Sequence, residues 1–181
     1  MEIEINNAMD NFLKKNFNGE ENNVEHLEKY FTKILEKDNI KICSRYKLCS
    51  GKINSRKKIW YTKEFNYKYG FFWKRKIKYM NDEEIMKYEF EGNEIYFENT
   101  NNIETCFRRA IKAYSQLIFQ MNKSQQKFVT FLQLVEVEDE NGSCNWNIQI
   151  RFYLDREKSR NVQTLWGNIK DFQNATLFIY V

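Results

Sequence analysis

Hydrophobic residues recur every three or four positions in three parts of the chain, which is the spacing of one helical face. Two of these parts lie within residues 1–37 and predict a pair of N-terminal helices. Asn18-Gly19 provides a stop for the first helix, and Asn23 a cap for the second. The third part predicts one long central helix at about residues 102–121. Its broad apolar face consists of Ile103, Phe107, Ala110, Ile111, Tyr114, Leu117, Ile118 and Met121.

Alternation of apolar and polar residues predicts β-strands in most of the remaining chain. Two long strands are predicted before the C-terminal strand. The Asn141-Gly142 pair between them is typical of a hairpin turn. The C-terminal strand has the sequence TLFIYV. Strands are also predicted near residues 40–48, 57–65 and 71–80, and a further hairpin is predicted at residues 86–91 and 94–98 through Gly92-Asn93.

This order of elements predicts an α+β fold. Parallel strands need crossover helices, and only one helix is predicted between strands, so we expect a mostly antiparallel sheet or a partly closed barrel. We expect a single domain over residues 1–181, with the helical pair at 1–37 and the sheet with its central helix at 38–181. Three strands, a helix and two strands is also the order of the OB fold, although this chain has more strand segments than the five of that fold.

Composition adds a local charge asymmetry. The chain has 42% hydrophobic and 30% charged residues, which is typical of a globular protein, and its formal net charge is +4. Residues 56–79 contain nine Lys or Arg, nine aromatic residues and a single acid, Glu64. This segment therefore carries a net charge of +8, and the rest of the chain is acidic on balance. A localised basic footprint of this kind is typical of a surface that binds polyanions.

Strand alternation within the basic segment predicts a candidate nucleic-acid site. If residues 71–80 form a strand, Phe72, Lys74, Lys76 and Lys78 share one face. Lys58 and Trp60 of the preceding strand lie on the same side if the two strands pair. Lysines neutralise phosphates, and exposed aromatic rings stack on bases, so we expect a non-catalytic domain that binds single-stranded nucleic acid as a subunit of a larger complex. Three later residues extend the predicted footprint: Arg156, Lys158 and Arg160.

The same features allow a second hypothesis, a protein partner without nucleic-acid contact. Lysines on an outward strand face also prevent edge-to-edge aggregation, and aromatic residues favour strands in any case. The C-terminal strand is either central in the sheet or an edge that pairs with another chain. An inhibitor, an immunity-type protein or an accessory subunit fits this description.

Catalysis has little support in the sequence. The phosphate-binding, nucleophile-elbow and zinc-protease motifs are absent, and His26 is the only histidine. The four cysteines form no CxxC pair, so we expect no zinc site and no cofactor. A metal-dependent hydrolase would have to use the acidic group Glu136, Glu138, Asp139 and Glu140, which lies at a predicted hairpin tip. The acidic start of the chain does not indicate export, and we expect an intracellular protein of the cytoplasm or nucleus.

Overall fold

A computed structural model of the chain describes residues 1–17, 23–54, 57–65, 73–99, 102–138, 144–156 and 167–181. The α-helices of these residues are α1 (Asn7–Asn16), α2 (Val24–Leu35), α3 (Trp73–Ile77), α4 (Asp82–Gly92) and α5 (Ile103–Lys123). The strands are β1 (Glu2–Ile5), β2 (Cys49–Lys52), β3 (Lys58–Tyr61), β4 (Glu94–Phe97), β5 (Phe128–Glu138), β6 (Cys144–Leu154) and β7 (Thr176–Tyr180). Short 3₁₀ turns occupy Ser44–Tyr46 and Ile169–Asp171.

Five strands form one antiparallel sheet in the order β1-β7-β5-β6-β4. Its centre is the β5–β6 hairpin, which pairs Phe128 with Leu154 at one end and Glu138 with Cys144 at the other. The main core lies between one face of this sheet and the helices α1, α2 and α5. Fully buried members of this core are Met9, Leu13, Phe31, Tyr114, Leu117, Phe128, Leu132, Ile150 and Ile179.

The strands β2 and β3 form a separate antiparallel pair, in which Cys49 lies opposite Tyr61 and Lys52 opposite Lys58. We call β2, β3 and α3 the hairpin region. It packs on α4 through a small core of its own, composed of Ile59, Phe65, Ile77, Ile85 and Tyr88. The other side of α4 contributes Met86 to a third cluster, which covers the second face of the large sheet.

A buried ion pair joins the hairpin region to the large sheet. Glu89 of α4 is fully buried, and the Arg156 side chain is only 7% exposed. The two Nη atoms of Arg156 donate to the two carboxylate oxygens of Glu89 at 2.6 and 2.8 Å. The backbone N–H groups of Trp60 and Leu154 donate to the same carboxylate at 2.8 Å each. Because every acceptor position of Glu89 is used, this charge is tolerated in the interior.

The predicted α+β class, the predominantly antiparallel sheet, helix α2, the long central helix and the β5–β6 hairpin are confirmed. The sheet is open, with β1 and β4 as its edges among the described residues, so the alternative of a partly closed barrel is wrong. The described residues contain five α-helices and not three. Residues 2–5 form an edge strand ahead of α1, because Glu2–Ile5 pairs with β7.

The predicted hairpin at residues 86–98 is half wrong. Residues 94–97 form β4, but Asp82–Gly92 is helical. The reason is a complete capping box, in which the Asn81 side chain accepts from Glu84 N–H and the Glu84 side chain accepts from Asn81 N–H. Three acidic residues in the first turn add a favourable interaction with the helix dipole.

The predicted strand at residues 40–48 is also wrong. This segment is irregular and is held along α5 by two glutamine side chains. Gln116 accepts from Cys43 N–H at 2.7 Å. Gln120 accepts from Leu48 N–H at 2.9 Å and donates to the Tyr46 carbonyl at 2.9 Å. These side chains satisfy backbone groups that a strand would have paired with a neighbouring strand.

Candidate binding sites

The basic segment does not form the predicted lysine-bearing strand. Residues 73–77 are helical, and the backbone bonds that follow are local, from Tyr79 N–H to Lys76 O and from Met80 N–H to Ile77 O. The apolar residues Ile77 and Met80 both face the core of the hairpin region at helical spacing. Residues two apart in a helix differ by about 200° in direction. Alternate residues of this segment therefore do not share a face in the way that a strand would allow.

Trp60 and Lys58 lie on the side of β3 that faces away from α3. Trp60 is half-buried and packs edge-on against Phe128 of the main core, with ring centroids 5.4 Å apart. Lys58 is exposed on the same face of β3, whereas Ile59, on the opposite face, packs against α3. The β2–β3 pair therefore lies between the Lys58 side chain and α3. Phe72 lies outside the described residues, as do Lys158 and Arg160.

Arg156 occupies an interior position that the sequence does not reveal. Its guanidinium is bound to Glu89 and also donates to the backbone carbonyls of Lys58 and Leu154 at 2.7 and 3.2 Å. These contacts fasten β3 to β6. A lone Arg in a polar stretch reads as a surface residue, and its partner Glu89 is 67 positions away. Sequence spacing therefore carried no signal for this pair.

Within the described residues of the basic segment, one exposed basic and aromatic group remains. Tyr79 is 82% exposed, and the Lys78 ammonium lies 5.7 Å from the centre of the Tyr79 ring. Lys76 is exposed in the preceding turn. The strand interpretation had put Tyr79 on the apolar face, so sequence reasoning missed it. We call Lys76, Lys78 and Tyr79 the α3 tip.

The C-terminal strand is not an edge. It lies between β1 and β5, and Val181 exchanges backbone hydrogen bonds with Phe128. Both sides of β7 are therefore paired within the chain. A partner that adds a strand to the C-terminal segment, which was one form of the protein-partner hypothesis, has no open edge there.

A groove between α2 and α5 provides a site that the sequence did not indicate. Its volume is about 510 Å³, within the range of about 300–1,000 Å³ that is typical of small-ligand sites. The segment that follows α2 forms a third wall. The apolar residues that line the groove are Leu27, Tyr30, Ile34, Ile40, Phe107 and Ile111.

Every charged residue that lines this groove is basic. They are Arg108 and three lysines: Lys37, Lys41 and Lys112. Among the described residues that line the groove, none is acidic. The acids Glu36 and Asp38, which flank Lys37 in the chain, are exposed and do not line it. Since each lysine ammonium is a strong hydrogen-bond donor, the part of the groove that the lysines line is suited to an anion.

The remaining polar residues of the groove are occupied by contacts within the protein. The Ser115 hydroxyl is buried and donates to the Lys112 carbonyl at 2.9 Å. The Gln116 side chain accepts from Cys43 N–H and donates to the Lys112 carbonyl. Ser115 therefore lacks the contact with a base that activates a serine nucleophile. Elsewhere in α5, burial raises the pKa of the Cys106 thiol, which disfavours a reactive thiolate.

The structure provides no centre for metal chemistry in its described part, where no three His, Cys, Asp or Glu side chains come together as metal ligands. The predicted acidic group at the β5–β6 tip lies partly outside the described residues. No helix of the described ranges has the length and apolar character needed to cross a membrane. The chain matches no known family model, and no similar curated protein or solved structure was found.

Proposed function

We propose that this chain is a non-catalytic binding protein whose site is the groove between α2 and α5, and that its ligand is apolar and negatively charged. The observation that carries the proposal is the combination of an apolar floor with a purely basic set of charged lining residues. Concave apolar sites with a few convergent polar groups are the usual form of a ligand site. The ordered hydrogen bonds of Ser115 and Gln116 support binding without chemistry.

The experiment uses 8-anilinonaphthalene-1-sulfonate, which joins apolar rings to an anionic group and fluoresces when bound. We expect saturable binding at one site of the folded protein. The double variant Lys41→Gln/Lys112→Gln removes two of the three clustered ammonium groups and should weaken binding roughly tenfold, since exposed charge contacts are worth up to about 1 kcal/mol each.

The chain offers a matched control in Lys29 and Lys33. Both are exposed on α2, and neither lines the groove. The variant Lys29→Gln/Lys33→Gln changes the net charge equally and should leave the affinity within twofold. Equal weakening in both variants would show a general charge effect, and the groove would then not be the site. Thermal melts of both variants check that the fold is retained.

The α3 tip supports a second candidate function, the binding of single-stranded nucleic acid. The exposed ring of Tyr79 can stack on a base while Lys76 and Lys78 approach phosphates. The acids nearest in sequence are engaged within the protein, because Asp82 pairs with Lys57 and Glu83 with Lys87.

This second candidate is tested by the salt dependence of oligonucleotide binding. We expect log K to fall by about 0.7 per log unit of salt for each phosphate that is neutralised. Lys76→Glu/Lys78→Glu should abolish binding, and Tyr79→Ala should weaken it by roughly 1–3 kcal/mol, the worth of one stacked base. Retained binding in all these variants, or a flat salt dependence, would remove the α3 tip from consideration.

A further inference from the structure

The arrangement of walls and charges within the α2–α5 groove narrows the class of ligand, provided that the groove is the binding site proposed above. We infer that the occupant is a single-chain amphiphile, with an alkyl chain along the apolar floor and a carboxylate or similar anion at the lysine end.

The direction of the groove follows from how α2 and α5 lie against each other. Leu27 near the start of α2 and Phe107 near the start of α5 are both buried in the same cluster and line the groove. Ile34 and Ile111 lie further along the two helices and line it as well. The apolar floor therefore extends for about two helical turns, or about 10 Å, along α2 and for about one turn along α5. A floor of this form is suited to an extended chain.

The lysines gather at the far end of this floor. Gln116 binds Cys43 N–H, which places the segment before Cys43 beside the middle of α5. Lys112 lies one helical turn before Gln116, and Lys41 lies two residues before Cys43 in that segment. Lys37 follows the last turn of α2. Lys37 and Lys41 of the segment after α2 and Lys112 of α5 therefore come from two walls near one end, where an anionic head can contact more than one of them.

The other end differs in its charge pairing. Arg108 is bound to Glu104 through Nε and Nη2 at 3.2 and 2.9 Å, and its guanidinium lies 5.6 Å from the centre of the Phe17 ring. Its positive charge is therefore already partly satisfied. The anionic head is thus directed to the lysine end and the chain terminus towards Phe107.

The volume favours a small amphiphile over the helix of a protein partner. The groove has a volume of about 510 Å³, in the range typical of small-ligand sites. A helix is about 10–12 Å across with its side chains and would place only one row of them there, whereas an extended alkyl chain can lie within the groove.

The test is a chain-length series measured by displacement of bound 8-anilinonaphthalene-1-sulfonate and by calorimetry below micelle-forming concentrations. From octanoate to dodecanoate, each added methylene should tighten binding about fourfold until the floor is filled. Dodecanol, which has the same chain and no charge, should bind roughly tenfold more weakly than dodecanoate. Lys41→Gln/Lys112→Gln should remove that difference, and Lys29→Gln/Lys33→Gln should keep it.

The outcomes separate this inference from the proposed function. If the sulfonate probe binds in the groove but affinity is independent of chain length, the ligand is not an alkyl amphiphile and the inference is wrong. If dodecanol binds as well as dodecanoate, the lysine end does not recognise the head group, and the inference is equally overturned. If neither the probe nor any carboxylate binds the folded protein, the proposed function itself fails.

Discussion

The large sheet and the hairpin region are held to their surroundings in different ways. The sheet binds α1, α2 and α5 largely through apolar contacts, in a core that includes Phe31, Tyr114 and Leu132. The hairpin region has its own small core. Besides the ring contact of Trp60 with Phe128, its connection to the sheet includes two buried polar groups: the Glu89–Arg156 pair and the side chain of Asn93. Asn93 donates to the carbonyls of Trp60 and Phe152 at 2.8 and 3.3 Å.

This difference has consequences for stability. Apolar burial is additive over area and tolerates small changes in position, whereas a buried ion pair depends on a complete set of partners. The hairpin region is therefore expected to be more sensitive to a single substitution than its small core suggests. It is also the part of the chain expected to open locally at the lowest free energy.

The largest expected effect comes from Glu89→Ala. This change leaves the Arg156 guanidinium buried without its partner, and it also removes the acceptor of Trp60 N–H and Leu154 N–H. Breaking a buried pair in this way costs about 3–5 kcal/mol. We expect a loss of that size in the free energy of unfolding by urea, with hydrogen exchange of the β3 amides accelerated most.

A surface pair provides the control. Glu83 binds Lys87 at 2.6 Å on the exposed side of the same helix, and Glu83→Ala should cost about 1 kcal/mol or less. The double variant Glu89→Ala/Arg156→Met should be more stable than Glu89→Ala alone, since it removes the unpaired charge. If Glu89→Ala is no more costly than Glu83→Ala, the polar connection does not hold the hairpin region.

A smaller effect is expected from Gly92→Ala, which tests the packing of the hairpin region. A Cβ atom at Gly92 would lie 2.4 Å from the Phe65 ring. Alanine normally stabilises a helix relative to glycine by up to about 1 kcal/mol. Any loss of stability therefore reports the steric overlap with the Phe65 ring. We expect Gly92→Ala to destabilise the protein by about 1–3 kcal/mol in urea unfolding.

The same substitution in a Phe65→Leu background isolates the contact. The smaller side chain leaves room for the added methyl group, so the penalty of Gly92→Ala should shrink by more than half. A penalty of equal size in both backgrounds would mean that Phe65 is not its cause, and the small core would then be packed differently from the structure.

The smallest effect is expected from Gln125→Gly, in the turn after α5. Gln125 has φ of 58°, a left-handed conformation that costs a side-chain-bearing residue about 1–2 kcal/mol. Glycine at this position should therefore raise the free energy of unfolding by about 1 kcal/mol. Gln126→Gly, one residue on, should instead lower it, because no left-handed conformation is relieved there.

This last substitution sharpens the comparison of the two regions. If the hairpin region opens on its own, Gln125→Gly should slow hydrogen exchange in β5 and leave exchange in β3 unchanged. Equal slowing in both strands would show that the two regions unfold as one cooperative unit.

The elements that sequence reasoning predicted correctly are those whose pattern is long and has one buried face. Helix α5 has a broad apolar face over 21 residues, and β6 alternates over 11. In such elements, the periodicity of the sequence matches the buried face over several turns or pleats. Contacts with distant segments therefore do not change the secondary structure. Helix α2 satisfies the same condition with its Asn23 cap.

The elements that were predicted wrongly have a local pattern that fits more than one secondary structure. In residues 73–80, alternation and helical spacing are both compatible with the sequence, and the burial of Ile77 in the same cluster as Ile59 and Ile85 favours the helix at Trp73–Ile77. In residues 82–92, the capping box favoured a helix over the strand pattern. The predicted nucleic-acid site required a strand at residues 71–80. Since residues 73–77 are helical, the single lysine-bearing face that the prediction required does not form.

By itself, the sequence determined the fold class, the central helix and hairpin, and the concentration of positive charge in residues 56–79, because each of these depends on residues close together in the chain. Only the tertiary structure decided that Arg156 is an interior anchor, that Tyr79 is exposed, and that lysines 37, 41 and 112 flank one apolar groove. The physical reason is that burial and charge pairing depend on which distant segments meet, and that is set by packing against the core rather than by local pattern.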